Sequence, residues 1–156
     1  SGLVLMARHA DAQRRLSLAF EQRRIPKRYV AIVQGLVDEP PGTWADIHLP
    51  IAADWERRPL RVIDAEHGKP SHTRWRPLDH NTAVGTTRVE LDPVTGRTHQ
   101  LRVHLAALGH PILGDALYAN AATQAQAPRL LLHARELALA HPTTKQAMRW
   151  ELAADF

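Results

Sequence analysis

No cysteine occurs among the 156 residues. Disulfides, thiolate metal sites and a cysteine nucleophile are thereby excluded, thiol redox chemistry has nothing to run on, and the composition fits a cytoplasmic protein. Long apolar runs are missing too. The longest, Leu3 to Ala7 and Leu105 to Leu108, fall far short of the roughly 20 residues that cross a bilayer, so no membrane partner is expected. No internal repeat is present. The opening Ser1-Gly2-Leu3-Val4-Leu5-Met6 has no initiator methionine, basic n-region or cleavage site. It does not read as a signal peptide and opens like the interior of a larger protein.

What is present fits one domain over residues 1–156: a chain that is 44% hydrophobic can build one core at this length and is too short for two. Twenty Lys plus Arg stand against 16 Asp plus Glu, a formal net charge of +4 with a pI near 10.1. Arginine supplies most of the positive charge. That bias suits a polyanion such as nucleic acid, although an ordinary basic protein would share it.

Leu3 to Ala7 is branched and apolar enough for a buried strand. From Asp11, a plausible N-cap, Ala12, Leu16, Ala19 and Phe20 recur at helical spacing until Pro26 stops the helix. Tyr29, Val30, Ile32 and Val33 predict a strand over Arg28 to Gly35. Trp44 to Pro70 is polar and broken by prolines, and reads as an irregular surface loop and ribbon with one short strand at Arg61 to Asp64. Ser71 to Leu78 and Ala83 to Leu91 predict an antiparallel pair turning at Asp79 to Thr82. Asp92 to Gly96 is turn chemistry, and Thr98 to Leu108 follows as a helix stopped by Gly109. An alanine- and glutamine-rich stretch from Asn120 to Ala127 precedes final strands at Leu130 to Ala140 and Gln146 to Leu152. This order is an α+β pattern: a twisted, mostly antiparallel or mixed sheet flanked by helices.

The densest polar constellation is Gly96-Arg97-Thr98-His99-Gln100-Leu101-Arg102-Val103-His104, set where a turn enters a helix. Such a junction offers free N–H groups, and Arg97 could grip a carboxylate or phosphate there with a forked guanidinium. An equally good reading is a helix capped by Thr98 with its basic residues simply solvated. A metal-dependent hydrolase built on His99, His104, His110 and Asp115 is the bolder alternative. Five positions turn a helix about 140° off the starting face, so His99 and His104 do not form a ligand pair and are expected to be structural hydrogen-bonders. No metal is expected. Gly109 to Tyr118 reads as an ordered loop in which Asp115 caps a turn or pairs with an arginine.

Four segments follow one another in a specific order. Lys27 to Gly35 has the form K-x-Y-x-A-x-V-x-G, Gly96 to His104 reads G-R-T-H-Q-L-R-V-H, and Gly109 to Tyr118 reads G-H-P-I-L-G-D-x-x-Y. Arg129 to Ala134 follows, with Leu137 and His141-Pro142 beyond it. This ordered set, spread over Ser1 to Phe156, resembles the RluA family of pseudouridine synthases. Asp54-Trp55, Arg58-Pro59, Gly68-Lys69-Pro70 and the closing Ala153 to Phe156 resemble the branch of that family that modifies both 23S ribosomal RNA and a tRNA anticodon stem-loop.

The resemblance implies the pseudouridine synthase catalytic-domain fold and an isomerase, acting as a monomer, that converts uridine in structured RNA to pseudouridine without a cofactor. The target nucleotide is extruded, because its reacting atoms are shielded in the stack. Tyr29 would stack on the uracil, Arg97 would pair with the catalytic aspartate, and a leucine of the 130–132 run, taken as Leu131, would line the uracil pocket. Lys27, Arg28, Arg57, Arg58, Arg61 and Arg102 would contact phosphates. In the family the aspartate lies in a segment of the form H-R-L-D-x-x-T-S-G-L, and Ser1-Gly2-Leu3 matches only its tail. The nucleophilic aspartate is thus expected upstream of Ser1, as in a proteolytic fragment or truncated form, and this chain alone is expected to be inactive. A non-catalytic RNA-binding domain on the same scaffold is the alternative.

Overall fold

The computed structural model describes residues 1–156. In chain order the elements are α1 (Ala10–Glu21), β1 (Lys27–Gln34), β2 (Ala45–His48), β3 (Ile51–Ala53), β4 (Arg61–Ile63), β5 (His72–Asn81), β6 (Thr86–Pro93), α2 (Gln100–Ala107), α3 (Ala121–Ala125), β7 (Leu132–Ala140) and β8 (Ala147–Glu151). Six strands form one sheet in the order β2-β5-β6-β1-β7-β8, and β3 with β4 forms a separate ribbon. Every neighbouring pair is antiparallel. The α+β expectation holds, with the sheet antiparallel rather than mixed.

Alternation along the strands builds the core. Ala31 and Val33 of β1, Val89 and Leu91 of β6, Trp75 of β5 and Ile47 of β2 form one cluster, closed by Leu101 and Leu105 of α2. Ala31 stands opposite Val89 and Tyr29 opposite Leu91, so one face of each strand carries the apolar set. Helix α2 is thereby seated on the sheet directly after the β6 turn. A smaller cluster joins Leu16 of α1 to Ile25 and Leu139.

Helix α1 starts earlier than expected. His9, not Asp11, is its N-cap and accepts from the Ala12 N–H through Nδ1 at 3.2 Å. Asp11 lies in the first turn, where a negative charge favours the helix, and pairs with Arg14 and Arg15 at 3.0 and 2.7 Å. The hairpin between β5 and β6 turns at residues 82–85, three positions later than expected. Strand β2 lies within a stretch that reads as loop; buried Ile47 between exposed Asp46 and His48 gives it the alternation of a half-buried edge strand.

Leu3 to Ala7 is not a strand. Only Ser1 to Leu3 run beside β7, with Ala134 N–H donating to the Ser1 carbonyl and Leu3 N–H to the Ala134 carbonyl. From Glu136 onward β8 fills that edge of β7, while β1 fills the other. No free edge remains for the next residues, and Val4 and Met6 are left 82% exposed.

Candidate active site

Helix α2 begins at Gln100, whose side chain ties the turn before it to β5. His99, at φ 56°, occupies the N-cap position without a side-chain cap bond. Buried Gln100 instead reaches back: its Oε1 accepts from the Arg97 N–H at 2.9 Å and the Thr95 hydroxyl at 2.7 Å. Its Nε2 donates to the His72 carbonyl at 3.0 Å and to Thr73 Oγ1 at 2.9 Å. The amide thus uses both faces of its hydrogen-bonding capacity to lock the Thr95–Arg97 turn onto β5. Thr98 is exposed and caps nothing. The turn is therefore held by Gln100 and not by the Arg97 side chain, whose only partner is the Pro70 carbonyl.

That side chain stands at the rim of an open cavity of about 350 Å³, walled by Lys27, Tyr29, His99, Arg102 and Leu132 among others. No Asp or Glu lines it. The Arg97 guanidinium has only the Pro70 carbonyl, 3.4 Å from both Nε and Nη2. Burial raises the Tyr29 phenol above its ordinary pKa, so the ring is neutral across the physiological range. Burial also lowers Lys27, against the opposing pull of Asp92. A larger groove of about 520 Å³ between the N-terminal segment, α1 and the ends of β7 and β8 has a mostly apolar lining; the convergent polar groups are in the smaller cavity.

Of the three site residues expected from sequence, Tyr29 and Arg97 meet in this cavity. Leu131 does not reach it. Leu132 stands opposite Ala31, with Ala134 opposite Tyr29, so Leu132 shares the face of the Tyr29 ring. Leu131 is displaced by one position: its N–H donates to the Leu113 carbonyl and its side chain packs against the core cluster. The leucine that lines this cavity is Leu132.

Arg102 has an intramolecular partner as well. Its Nε and Nη2 grip Asp115 at 2.8 and 2.5 Å, its side chain is only 16% exposed, and its guanidinium lies 5.0 Å from the Tyr118 ring. Asp115, fully buried, also accepts from the N–H groups of Leu117 and Tyr118. Burial alone would raise the Asp115 pKa; Arg102 and the two backbone donors more than offset this and hold it below the ordinary carboxylate range. This is the structural role expected of Asp115, and it commits two of the five Arg102 N–H donors to the pair while Arg102 still lines the cavity. Gly114 makes the loop possible, since at φ 71° a Cβ would lie 1.9 Å from the Arg129 carbonyl oxygen.

The histidines are structural, as the spacing implies. His104 is wholly buried between Thr73 Oγ1 and the Leu49 carbonyl, 2.9 Å from each, and burial lowers its pKa. His110 meets the Gln34 carbonyl at 2.9 Å. His99 Nδ1 lies 2.7 Å from the Tyr118 hydroxyl, which accepts from the Arg61 N–H at 3.0 Å. Burial first, then Arg102 and Arg61, depress the His99 pKa. The hub made by Tyr118 was not legible from its motif position alone.

The remaining cations divide. Arg28 pairs with Asp92 and packs on Trp44 on the sheet. Exposed Arg57 pairs with Asp54 at 2.8 Å, and exposed Arg58 stacks 4.2 Å over Trp55, itself 72% exposed. Arg61, with Trp55, His67, Lys69 and Arg97, lines a groove of about 860 Å³ between the β3–β4 ribbon and the Arg97 turn. Cavity and groove share Gly96 and Arg97. Lys69 and His67 were missed from sequence, because only the ribbon's pairing brings them beside Arg97.

The family model described as RNA pseudouridylate synthase matches residues 1–107. The chain is 42% identical over all 156 residues to the dual-specificity RNA pseudouridine synthase RluA of Haemophilus ducreyi, covering 70% of that protein. It is 44% identical to the RluA of Escherichia coli K12, covering 69% of it. Human RNA Pseudouridylate Synthase Domain Containing 1 superposes with a TM-score of 0.81 at 32% identity, over 96% of this chain and 63% of that one. Human RNA Pseudouridylate Synthase Domain Containing 4, at 24% identity and a TM-score of 0.69, shares the fold. With its fold, the Tyr29–Arg97 cavity and full-length similarity to RluA proteins in agreement, this chain belongs to the RNA pseudouridylate synthase family.

Proposed function

We propose that this chain forms the greater part of the catalytic domain of an RNA pseudouridine synthase that isomerises uridine in structured ribosomal RNA, tRNA or both, without a cofactor and in the cytoplasm. The observation that carries the reading is the cavity at Arg97: a tyrosine face, an aliphatic wall and a guanidinium converge on a space with no carboxylate in it. An extruded uracil stacks on Tyr29 and packs against Leu132. The Arg97 fork holds an aspartate supplied by the segment upstream of Ser1, keeping it ionised and aimed at the nucleotide. The adjoining groove, with Arg61, Lys69 and the Arg58–Trp55 stack at the ribbon, takes the flanking phosphates and an unpaired base.

The test is tritium release from RNA labelled at C5 of uridine, using the longer protein that carries the upstream aspartate. Arg97→Ala is expected to lower turnover by at least about a hundredfold, on the scale of a lost charge-stabilising group, with RNA affinity nearly unchanged. Arg97→Lys recovers little, because an ammonium cannot make the fork. The 156-residue chain is expected to bind RNA and release no tritium. Near-normal turnover in Arg97→Ala would sink the role of Arg97, and turnover by the chain alone would sink the dependence on an upstream carboxylate. If the longer protein binds RNA with no turnover, the RNA-binding scaffold reading takes over.

A further inference from the structure

We propose that Asp46, His48 and His72 form a binding site for a divalent transition-metal ion, zinc in the first instance, on the edge of the main sheet and apart from the catalytic cavity. Their ligand atoms all lie within 4.8 Å of one another. The arrangement follows from the ladder. His48 of β2 stands opposite His72 of β5, and Asp46, two residues back along β2, projects from the same face. Two imidazoles and a carboxylate on adjacent strands are the donor set of a three-ligand zinc site with an open fourth position. Imidazole donors favour zinc, nickel or copper over magnesium or calcium.

A simple hydrogen-bonded pair accounts for part of the cluster. His72 Nε2 lies 2.5 Å from Asp46 Oδ1. It does not account for His48, whose ring stacks on His72 with centroids 4.0 Å apart and planes 21° apart, and whose nitrogens bond to nothing in the protein. An ion takes the place of the proton shared by Asp46 and His72 and recruits His48 as third ligand. With metal–ligand bonds of about 2.0–2.2 Å, tetrahedral donors lie roughly 3.4 Å apart, so the Asp46–His72 pair opens by about 1 Å while His48 closes in, shifts that exposed Asp46 and His48 and partly exposed His72 can supply by small rotamer changes. The nearest cation, Arg74, is turned toward Trp44 and Asp92, 5.0 Å from the indole and 3.9 Å from the carboxylate, so part of its charge is compensated.

The site bears on the active site through one residue. The His72 N–H donates to Thr95 Oγ1 at 2.9 Å, and its carbonyl accepts from Gln100 Nε2 at 3.0 Å. An ion on the His72 ring clamps edge strand β2 to β5 under the hub that fixes the Arg97 turn.

The experiment uses zinc chloride and the 156-residue chain stripped with chelator, read by calorimetric titration and by thermal unfolding. One equivalent is expected to bind, and zinc at about tenfold excess over Kd raises Tm by roughly 2–6 °C. His48→Ala, His72→Ala and Asp46→Asn each weaken binding by at least about tenfold, and the double His48→Ala/His72→Ala variant abolishes both binding and the Tm rise. His80→Ala, a control at the far, hairpin end of β5, changes neither. Far-UV circular dichroism checks that the variants fold; Asp46 and His48 lie on the edge strand β2 and His72 at the first position of its neighbour β5. Failure of the wild type to bind zinc at micromolar concentration overturns the proposal, as does unchanged binding by the double variant.

Discussion

Gln100→Leu removes a hydrogen-bonding amide while nearly preserving volume, and the structure allows its cost to be worked out. Four bonds are lost: to Arg97 N–H, Thr95 Oγ1, the His72 carbonyl and Thr73 Oγ1. They are not equal losses. Thr73 keeps His104 at 2.9 Å, Thr95 keeps the His72 N–H at 2.9 Å, and the exposed Arg97 N–H can turn to water. The His72 carbonyl retains the Thr95 N–H at 3.2 Å. No partner is stranded outright, so the cost sits near the lower end of about 1–3 kcal/mol for each buried group left wanting. A total of about 2–3 kcal/mol is expected, which lowers Tm by roughly 4–12 °C at this chain length. Urea unfolding of the 156-residue chain measures it. The functional half is read in the longer protein: the turn carrying Arg97 loosens, so kcat in tritium release falls while KM for RNA changes little. A variant within about 0.5 kcal/mol of the wild type, the ordinary range of surface changes, would refute the hub, and intact kcat beside a large stability loss would separate Gln100 from Arg97.

Asp115→Asn strands the Arg102 guanidinium, and removing one partner of a buried pair costs about 3–5 kcal/mol. The folded Asp115 is depressed, so its contribution is complete above the unfolded carboxylate value near 3.9 and is lost as pH falls through the lower folded value. The stability gap between wild type and variant should stay constant from neutral pH to about 4 and close below it; a gap that closes near pH 7 contradicts the assignment. For the groove, Lys69→Ala should weaken RNA binding evenly across sequences and reduce the magnitude of the log Kd against log salt slope by about 0.7 for a single-stranded contact. An unchanged slope removes Lys69 from the RNA path.

Which features were legible depended on whether they are local. Strand β1, helices α1 and α2, and the β7–β8 pair carry their own periodicity, and the turn before α2 carries its own Asp-Pro and Gly signals. Most failures are cases in which a neighbour decides, and helix α3 is the local exception. Leu3 to Ala7 has strand composition but finds both edges of β7 taken. Strand β2 has loop composition but finds an open edge on β5. Helix α3 is five residues held by the Asn120 side chain on the Thr123 N–H at 2.9 Å, a cap with too little apolar periodicity behind it to be read. The choice of Leu131 over Leu132 turns on one residue of register, which only pairing with Ala31 fixes.

The contrast between Arg97 and Arg102 shows why a motif's cations cannot be assigned one role together. Both lie in G-R-T-H-Q-L-R-V-H, five positions apart. Arg102 sits inside α2 and faces the loop that delivers Asp115, where a carboxylate with two further backbone donors makes the pair self-sufficient in a buried setting. Arg97 lies outside the helix, its backbone fixed by Gln100 and its guanidinium given one carbonyl at 3.4 Å. Ten other arginines of this chain have a carboxylate within 4.0 Å, Arg102 among them. An arginine held rigidly at its backbone beside a cavity and left without an anion is arranged to receive one. Gln100 has already ordered the turn, so under the proposed function a carboxylate arriving there meets a fork whose conformational cost has largely been met.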